Sequence, residues 1–396
     1  VTDLEILRGK RLVHVTTVAQ SLVFFRGQLS FLRRFGLEIN VVCGPGEGIE
    51  ELEAREGVRV HVVPMARRID PAADLVALRA LRRIYRRLRP DIVHAHTPKG
   101  GLLGVLSARA FGVPLVLYQL RGLRLSTLRG ARRALFSAVE RTSLNLAHGV
   151  IANSHSLRRE VLDLDLVAPL RIEVLGAGSG NGVEGRGRFD PDRIPGERRR
   201  ELRASLGVPE DAVLFLFAGR LVNDKGVREL AEAWRKVAAA HPNAHLVLIG
   251  WTDDTDPVGD HVLETFAPAR RAHRIPATKD MPSWYLASDV VVLPTYREGM
   301  PNVLLEGSAM GRPVVSTHAA GSVDCVRDGE TGLLVPVADA RALEAAMGRL
   351  AGDGLLRARL GAAGRAHMLA SFDPETLWTR LAQRYAEGLR AARAGR

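Results

Sequence analysis

Two doubly wound α/β domains are what this sequence predicts, and three observations carry the prediction. At 396 residues the chain is too long for one ordinary core. Short β-branched runs alternate with helical patterns in both halves, which argues for parallel βαβ units. Near the middle the alternation stops at residues 176–187 (G-A-G-S-G-N-G-V-E-G-R-G), with six glycines in twelve positions. Such a segment cannot build a core, so it reads as an inter-domain hinge or an active-site loop.

In chain order, the strands expected in the first half are 12–18, 38–42, 58–62, 92–93, 115–118, 150–152 and 172–175. Helical patterns fall between most of them, notably 75–88 and 131–147. After the glycines and the charged stretch through Arg200, the apolar runs resume at 213–218, 245–249, 290–294, 314–317 and 333–335. Three helical patterns close the chain, the last from about Pro374 to Ala391. Two such sheets joined by a hinge would leave a cleft at the carboxyl ends of their strands, where open α/β sheets bind ligands.

Composition excludes several classes. The first apolar run is strand-length rather than a signal-peptide core, and the longest, 101–120, is broken by Arg109 and Pro114, so no membrane span is expected. Cys43 and Cys325 are too few for a disulfide framework and suit a reducing cytoplasm. The net charge of +12 is concentrated: fourteen Arg and Lys between Val76 and Arg141 face only Asp91 and Glu140. A localised basic surface fits a polyanionic partner such as nucleic acid, anionic lipid or a phosphorylated substrate; arginine used simply as a solvated charge is the bland alternative. Nucleic-acid binding would want aromatics interleaved with the charges, yet Tyr85, Phe111, Tyr118 and Phe136 are sparse. No G-x-G-x-x-G follows the first strand, which argues against a dinucleotide oxidoreductase. No metal site is expected, since His94-x-His96 is too sparse for one.

The most informative ten residues run from Arg297 to Glu306, R-E-G-M-P-N-V-L-L-E. They lie between an apolar strand and a helical pattern ending at Gly311, with Pro301 in the first turn, where its missing N–H costs least. A helix N-terminus attracts anions through its free N–H groups and dipole. Glu306 would sit about 7 Å down that helix, at about 1.5 Å per residue. A carboxylate there suits the vicinal hydroxyls of a ribose, and Glu298 at the loop tip suits those of a sugar. Upstream, strand 213–218 runs into G-R-L-V-N-D-K-G, placing Arg220 and Lys225 at the same sheet edge. A guanidinium and an ammonium there would neutralise a diphosphate.

These segments together resemble the family-4 glycosyltransferases, retaining enzymes of the GT-B fold with two Rossmann-like domains. The resemblance rests on F-A-G-R-L-V-N-D-K-G from Phe217, L-P-T-Y-R-E-G-M-P-N-V-L-L-E from Leu293, G-R-P-V-V-S-T from Gly311 and D-G-E-T-G-L-L-V-P from Asp328. In the first half it is looser, through H-A-H-T-P-K-G-G-L-L-G from His94 and S-G-N-G-V from Ser179. It implies an acceptor-binding domain over 1–190, a nucleotide-sugar-binding domain over 191–376, and a closing helix, 377–396, packed back on the first. It implies that Arg220 and Lys225 hold the donor diphosphate, that Glu298 with the backbone of Gly299, Met300, Pro301 and Asn302 grips the donor sugar, and that Glu306 binds the ribose. Gly27 would approach the donor phosphates. The implied reaction retains anomeric configuration and needs no metal or other cofactor, the departing phosphate itself taking the acceptor's proton. Accordingly D163-L-D165 and residues 253–256, which mimic the D-x-D of other glycosyltransferases, read as surface turns.

One departure from the family stands out. After the fifth strand the family often carries His in a Tyr-x-x-His-Gly context, whereas here the text is Tyr118-Gln119-Leu120-Arg121-Gly122. Arginine cannot act as a base near neutral pH, but it binds phosphate or pairs with a carboxylate. His96 and Lys99 would face the same cleft, His96 either as an active-site group or as a structural histidine. Relatives with similar segments glycosylate polyprenyl-diphosphate sugars at the inner membrane face. The expected activity is therefore transfer of a hexose or N-acetylhexosamine from a UDP-sugar to such a lipid-linked glycan, with the basic amphipathic helices near an anionic membrane. The alternatives are a small soluble acceptor with a GDP- or ADP-sugar, or a nucleotide-sugar 2-epimerase of the same fold, which would need ionisable groups not evident here.

Overall fold

The computed structural model describes residues 4–66, 70–123, 125, 128–254 and 256–394. The chain divides into two compact units, Val1–Gly182 with Pro374–Arg396, and Val183–Asp373. The division falls inside the glycine-rich segment, ahead of the expected 190, and the returning segment begins at Pro374 rather than 377.

The first unit carries seven parallel strands: β1 Arg11–Val15, β2 Glu38–Cys43, β3 Arg59–Val62, β4 Ile92–His96, β5 Leu115–Leu120, β6 Gly149–Ala152 and β7 Ile172–Val174. Their order is β3-β2-β1-β4-β5-β6-β7, so the winding reverses between β1 and β4. β1 ends earlier than the apolar run 12–18 suggests. Beyond Val15 the Thr17 hydroxyl meets that of Thr97 at 2.7 Å and accepts from the Gly100 N–H at 2.8 Å. Helix Pro71–Leu88, capped by Asp70 at the Ala73 N–H, buries Ala77, Leu81 and Tyr85 and leaves Arg79, Arg82, Arg83, Arg86 and Arg87 in water. The closing helix Pro374–Ala394 buries Leu381, Ala382, Tyr385, Ala386 and Leu389 in one core with Leu12, Val41 and Leu117 of this sheet.

The second unit repeats the plan with β8 Val213–Ala218, β9 Ala244–Ile249, β10 Ala272–Ile275, β11 Val290–Leu293, β12 Val314–Thr317 and β13 Gly332–Val335. All are parallel, in the order β10-β9-β8-β11-β12-β13. Strand β10 (A-H-R-I) is an addition to the sequence reading. As an edge strand paired only with β9, it needs no apolar alternation, and none is visible. Among the described residues no helix is long and apolar enough to cross a membrane.

Candidate functional site

In the second unit the winding reverses between β8 and β11, and the loops leaving those two strands carry the cations and carboxylates singled out in the sequence. Lys225, in the short turn Asn223–Lys225 after β8, forms an ion pair with Glu298 in the loop after β11. Two further bonds lash the loops together: Arg297 pairs with Asp224, and the Tyr296 N–H donates to the Asp224 carbonyl at 2.9 Å. Arg220 donates to Asp253 at 2.9 Å. Asp253 is therefore no idle surface turn, and neither is Asp256, whose carboxylate accepts from the Asp224 N–H at 2.7 Å and from the Asn223 amide at 3.1 Å. Both work as braces for the cationic loop.

Beyond this loop, helix Asn302–Ala309 starts after Pro301 with no side chain capping it, while the Leu304 N–H donates to the Pro301 carbonyl at 3.1 Å. Gly299, Met300 and Pro301 are buried and Asn302 is partly so, the Met300 sulfur resting 3.0 Å from that of Cys325. Glu306 lies one turn further on and accepts from the Tyr285 hydroxyl at 2.8 Å. Burial raises its carboxyl pKa to about 7, against the downward pull of the Tyr285 hydrogen bond and the Arg188 charge. A carboxylate gripped on one oxygen by a buried phenol is oriented, and its other oxygen can accept from a diol.

The first unit places its expected residues differently. Lys99 is bound to both oxygens of Asp74, at 2.7 and 3.0 Å, and so ties helix Pro98–Phe111 to helix Pro71–Leu88. Gly27, in the left-handed region at φ 72°, lies against Trp378: a Cβ there would come within 2.7 Å of the indole ring. Its N–H donates to Glu56 at 2.8 Å. Packing thus accounts for this glycine without any phosphate.

His96 sits in a cluster that the sequence only half showed. His94 and His96 are two apart on β4 and share a face, and parallel register sets His14 of β1 beside His94. The three rings are buried, with potential ligand atoms within 4.8 Å of one another. His14 Nδ1 meets His96 Nε2 at 2.9 Å, and His94 Nδ1 meets the Tyr385 hydroxyl of the closing helix at 2.7 Å. Among the described residues no carboxylate or thiol joins the group, and Arg121 stands 3.4 Å from His96 Nδ1. Three imidazoles are a zinc-type ligand set, and the charge of Arg121 beside them opposes a divalent metal. The sequence held a signal for His96 but none for His14 or Tyr385, because strand register and the return of the closing helix bring them in.

Residues 23–178 match the model of the glycosyl transferase 4-like domain, and residues 212–353 that of the glycosyl transferases group 1. The capsular polysaccharide biosynthesis glycosyltransferase CapM of Staphylococcus aureus is 31% identical over 381 residues, covering 96% of this chain and 97% of that protein. An Escherichia coli UDP-Gal:alpha-D-GlcNAc-diphosphoundecaprenol alpha-1,3-galactosyltransferase is 26% identical over 324 residues, covering 81% of each. In three dimensions the chain resembles Anabaena Alr3699/HepE, a structure in complex with UDP and glucose, with a TM-score of 0.79 at 18% identity over 96% of this chain and 100% of that one. That last likeness is one of fold, GT-B. Near-complete coverage at 31% identity settles the family: the chain belongs to the group 1 glycosyltransferases.

Proposed function

We propose that this glycosyltransferase moves a hexose or N-acetylhexosamine from a UDP-sugar to a hydroxyl of a polyprenyl-diphosphate-linked glycan, with retention of configuration, in cell-surface polysaccharide synthesis. The observation that carries the donor half is the meeting of Lys225 with Glu298 beside Arg220, with Glu306 one turn into the helix that follows. In this reading Arg220 and Lys225 take the diphosphate. Glu298, released from Lys225, turns to the donor sugar together with the backbone of Gly299, Met300, Pro301 and Asn302. Glu306 accepts from the ribose. Charge developing on the departing phosphate is met by groups already in place, which is the main source of rate in such a site. The leaving phosphate accepts the acceptor's proton, and no metal or other cofactor is required.

The acceptor half rests on the Escherichia coli relative, which acts on a diphosphoundecaprenol-linked sugar, and on the arginine-rich first unit. Part of that unit's surface suits an anionic bilayer. Helix Gly130–Leu146 opens with Arg132, Arg133 and a half-exposed Leu135 in water, and Leu75 and Val76 are exposed on helix Pro71–Leu88. A screen of UDP-, GDP- and ADP-sugars tests the reading, with thermal stabilisation and transfer to a prenyl-diphosphate-linked N-acetylhexosamine as readouts, in chelator. UDP-sugars are expected to stabilise and react. Stabilisation only by GDP- or ADP-sugars with transfer to a soluble acceptor, or C2 inversion of the free nucleotide sugar, would replace it.

A further inference from the structure

The carboxyl edge of the first sheet holds a guanidinium that, among the described residues, no carboxylate neutralises. Arg121 follows β5 and makes no ion pair among the described residues. Its neighbours are His96 Nδ1 at 3.4 Å, the face of Phe24 with the guanidinium carbon 4.2 Å from the ring centre, and the loop through Gly180. The loop runs hard against the guanidinium, since a Cβ on Gly180 would meet Arg121 Nη1. Arg121 Nε is buried without a hydrogen-bond partner. Burial draws the guanidinium pKa down to about 9 with no anion pulling the other way.

The histidines supply no counter-charge. Arginine only donates, so His96 Nδ1 is an acceptor and its proton sits on Nε2, which donates to His14 Nδ1. His14 then carries its proton on Nε2, a buried atom without a partner. Burial, followed by the neighbouring positive groups, pushes the pKa of His14 down to about 3 and holds His94 and His96 well below the ordinary imidazole value, so all three rings are neutral. Two turns around this cluster are also held in the left-handed region by residues other than glycine, Thr97 at φ 65° and Ser179 at φ 80°. Such strain persists where the surroundings demand one geometry. A partly buried cation without a counter-ion is costly to the fold that holds it. Its natural partner is an anion that arrives with a ligand.

We propose that Arg121 is the receptor for a phosphate of the acceptor, enclosed by Phe24 on one side and by the loop through Gly180 on the other. The assignment of that phosphate to the acceptor rests on the function proposed above; the anion preference of Arg121 does not. It gives the departure from the family's Tyr-x-x-His-Gly pattern a chemical purpose: a fixed cation stands where a titratable ring would otherwise be.

The test uses full-length wild type, Arg121→Met and Arg121→Lys. Each is titrated with inorganic pyrophosphate in the presence of saturating UDP, melted without ligand, and assayed with a prenyl-diphosphate-linked sugar and with the same sugar on an uncharged alkyl chain. Arg121→Met is expected to bind pyrophosphate at least tenfold more weakly, to lose the lower KM for the charged acceptor, and to melt no lower than wild type. Arg121→Lys should fall between them. Unchanged pyrophosphate binding in Arg121→Met overturns the proposal. So does a melting point lowered in both variants with the acceptor preference intact, which is the mark of a structural arginine. Weaker UDP binding in Arg121→Met would move the phosphate to the donor and overturn the acceptor assignment. If wild type itself shows no preference for the charged acceptor, the lipid-linked reading fails, while the pyrophosphate titration still decides the role of Arg121.

Discussion

The two units carry the same doubly wound sheet, yet they treat positive charge at its carboxyl edge in opposite ways. In the second unit the cations at this edge have carboxylate partners: Arg220 with Asp253, Lys225 with Glu298, and Arg297 with Asp224. In the first, Arg121 faces neutral imidazoles and an aromatic ring. A paired cation stays folded and hydrated at little cost, and it binds a phosphate by exchanging one anion for another. An unpaired one holds its charge in reserve and gains its first counter-ion from the ligand. The second unit is thus poised for exchange and the first for capture, and single substitutions should separate the two.

The largest effect is expected at the exchanging pair. Lys225→Ala removes the diphosphate's ammonium and strands Glu298, and should lower kcat by about 10²–10³-fold, read by labelled-sugar transfer alongside a melting curve that stays near wild type. Full activity in this variant would end the donor-site assignment. Next comes Glu306. Its folded pKa of about 7 lies above the ordinary carboxylate value, so the folded state holds an extra proton between those limits. Stability should therefore be highest at the acid end of that window, fall as pH rises to about 7, and stay level above it. Glu306→Gln should flatten this slope in urea melts at pH 5 and pH 8. UDP affinity, which gains from an ionised acceptor, should weaken below pH 7 in wild type but not in Glu306→Gln. Tyr285→Phe removes a hydrogen bond to a charged group, worth about tenfold in affinity, and should move the midpoint of that affinity profile upward.

A smaller, purely structural effect separates packing from ligand contact in the first unit. Gly27→Ala meets both a positive φ and the Trp378 ring. It should destabilise by about 1–3 kcal/mol in denaturant titration and leave UDP affinity unchanged; a selective loss of UDP binding would place Gly27 at the donor instead. The smallest effect is expected from Arg132→Glu with Arg133→Glu, both in water at the start of their helix. Stability should shift by less than about 0.5 kcal/mol while co-sedimentation with anionic vesicles falls. Unchanged vesicle binding would remove this surface from the membrane reading.

The loops proposed to hold the donor were legible in the sequence because each lies in one contiguous segment. Arg220 and Lys225 share an eight-residue turn, and Glu298 and Glu306 share a loop and the helix that follows it. Strand identities were legible for the same reason in every case but β10, whose four residues, A-H-R-I, carry no apolar run. What holds these groups was not legible. Asp253, Tyr285 and Asp224 reach their partners across thirty-three, twenty-one and seventy-three residues of chain, distances at which no local pattern operates.

By itself, then, the sequence determined the period of the apolar runs, the glycine-marked break between the units and the chemistry of each loop, all of them properties of neighbouring residues. Only the tertiary structure decided which charges are paired. Lys99 is spent on Asp74, His14 joins His94 through parallel register, Tyr385 comes back on the closing helix, and Arg121 is left with no anion among the described residues. Pairing depends on distance and burial, and both are set by how the strands wind rather than by what lies next along the chain.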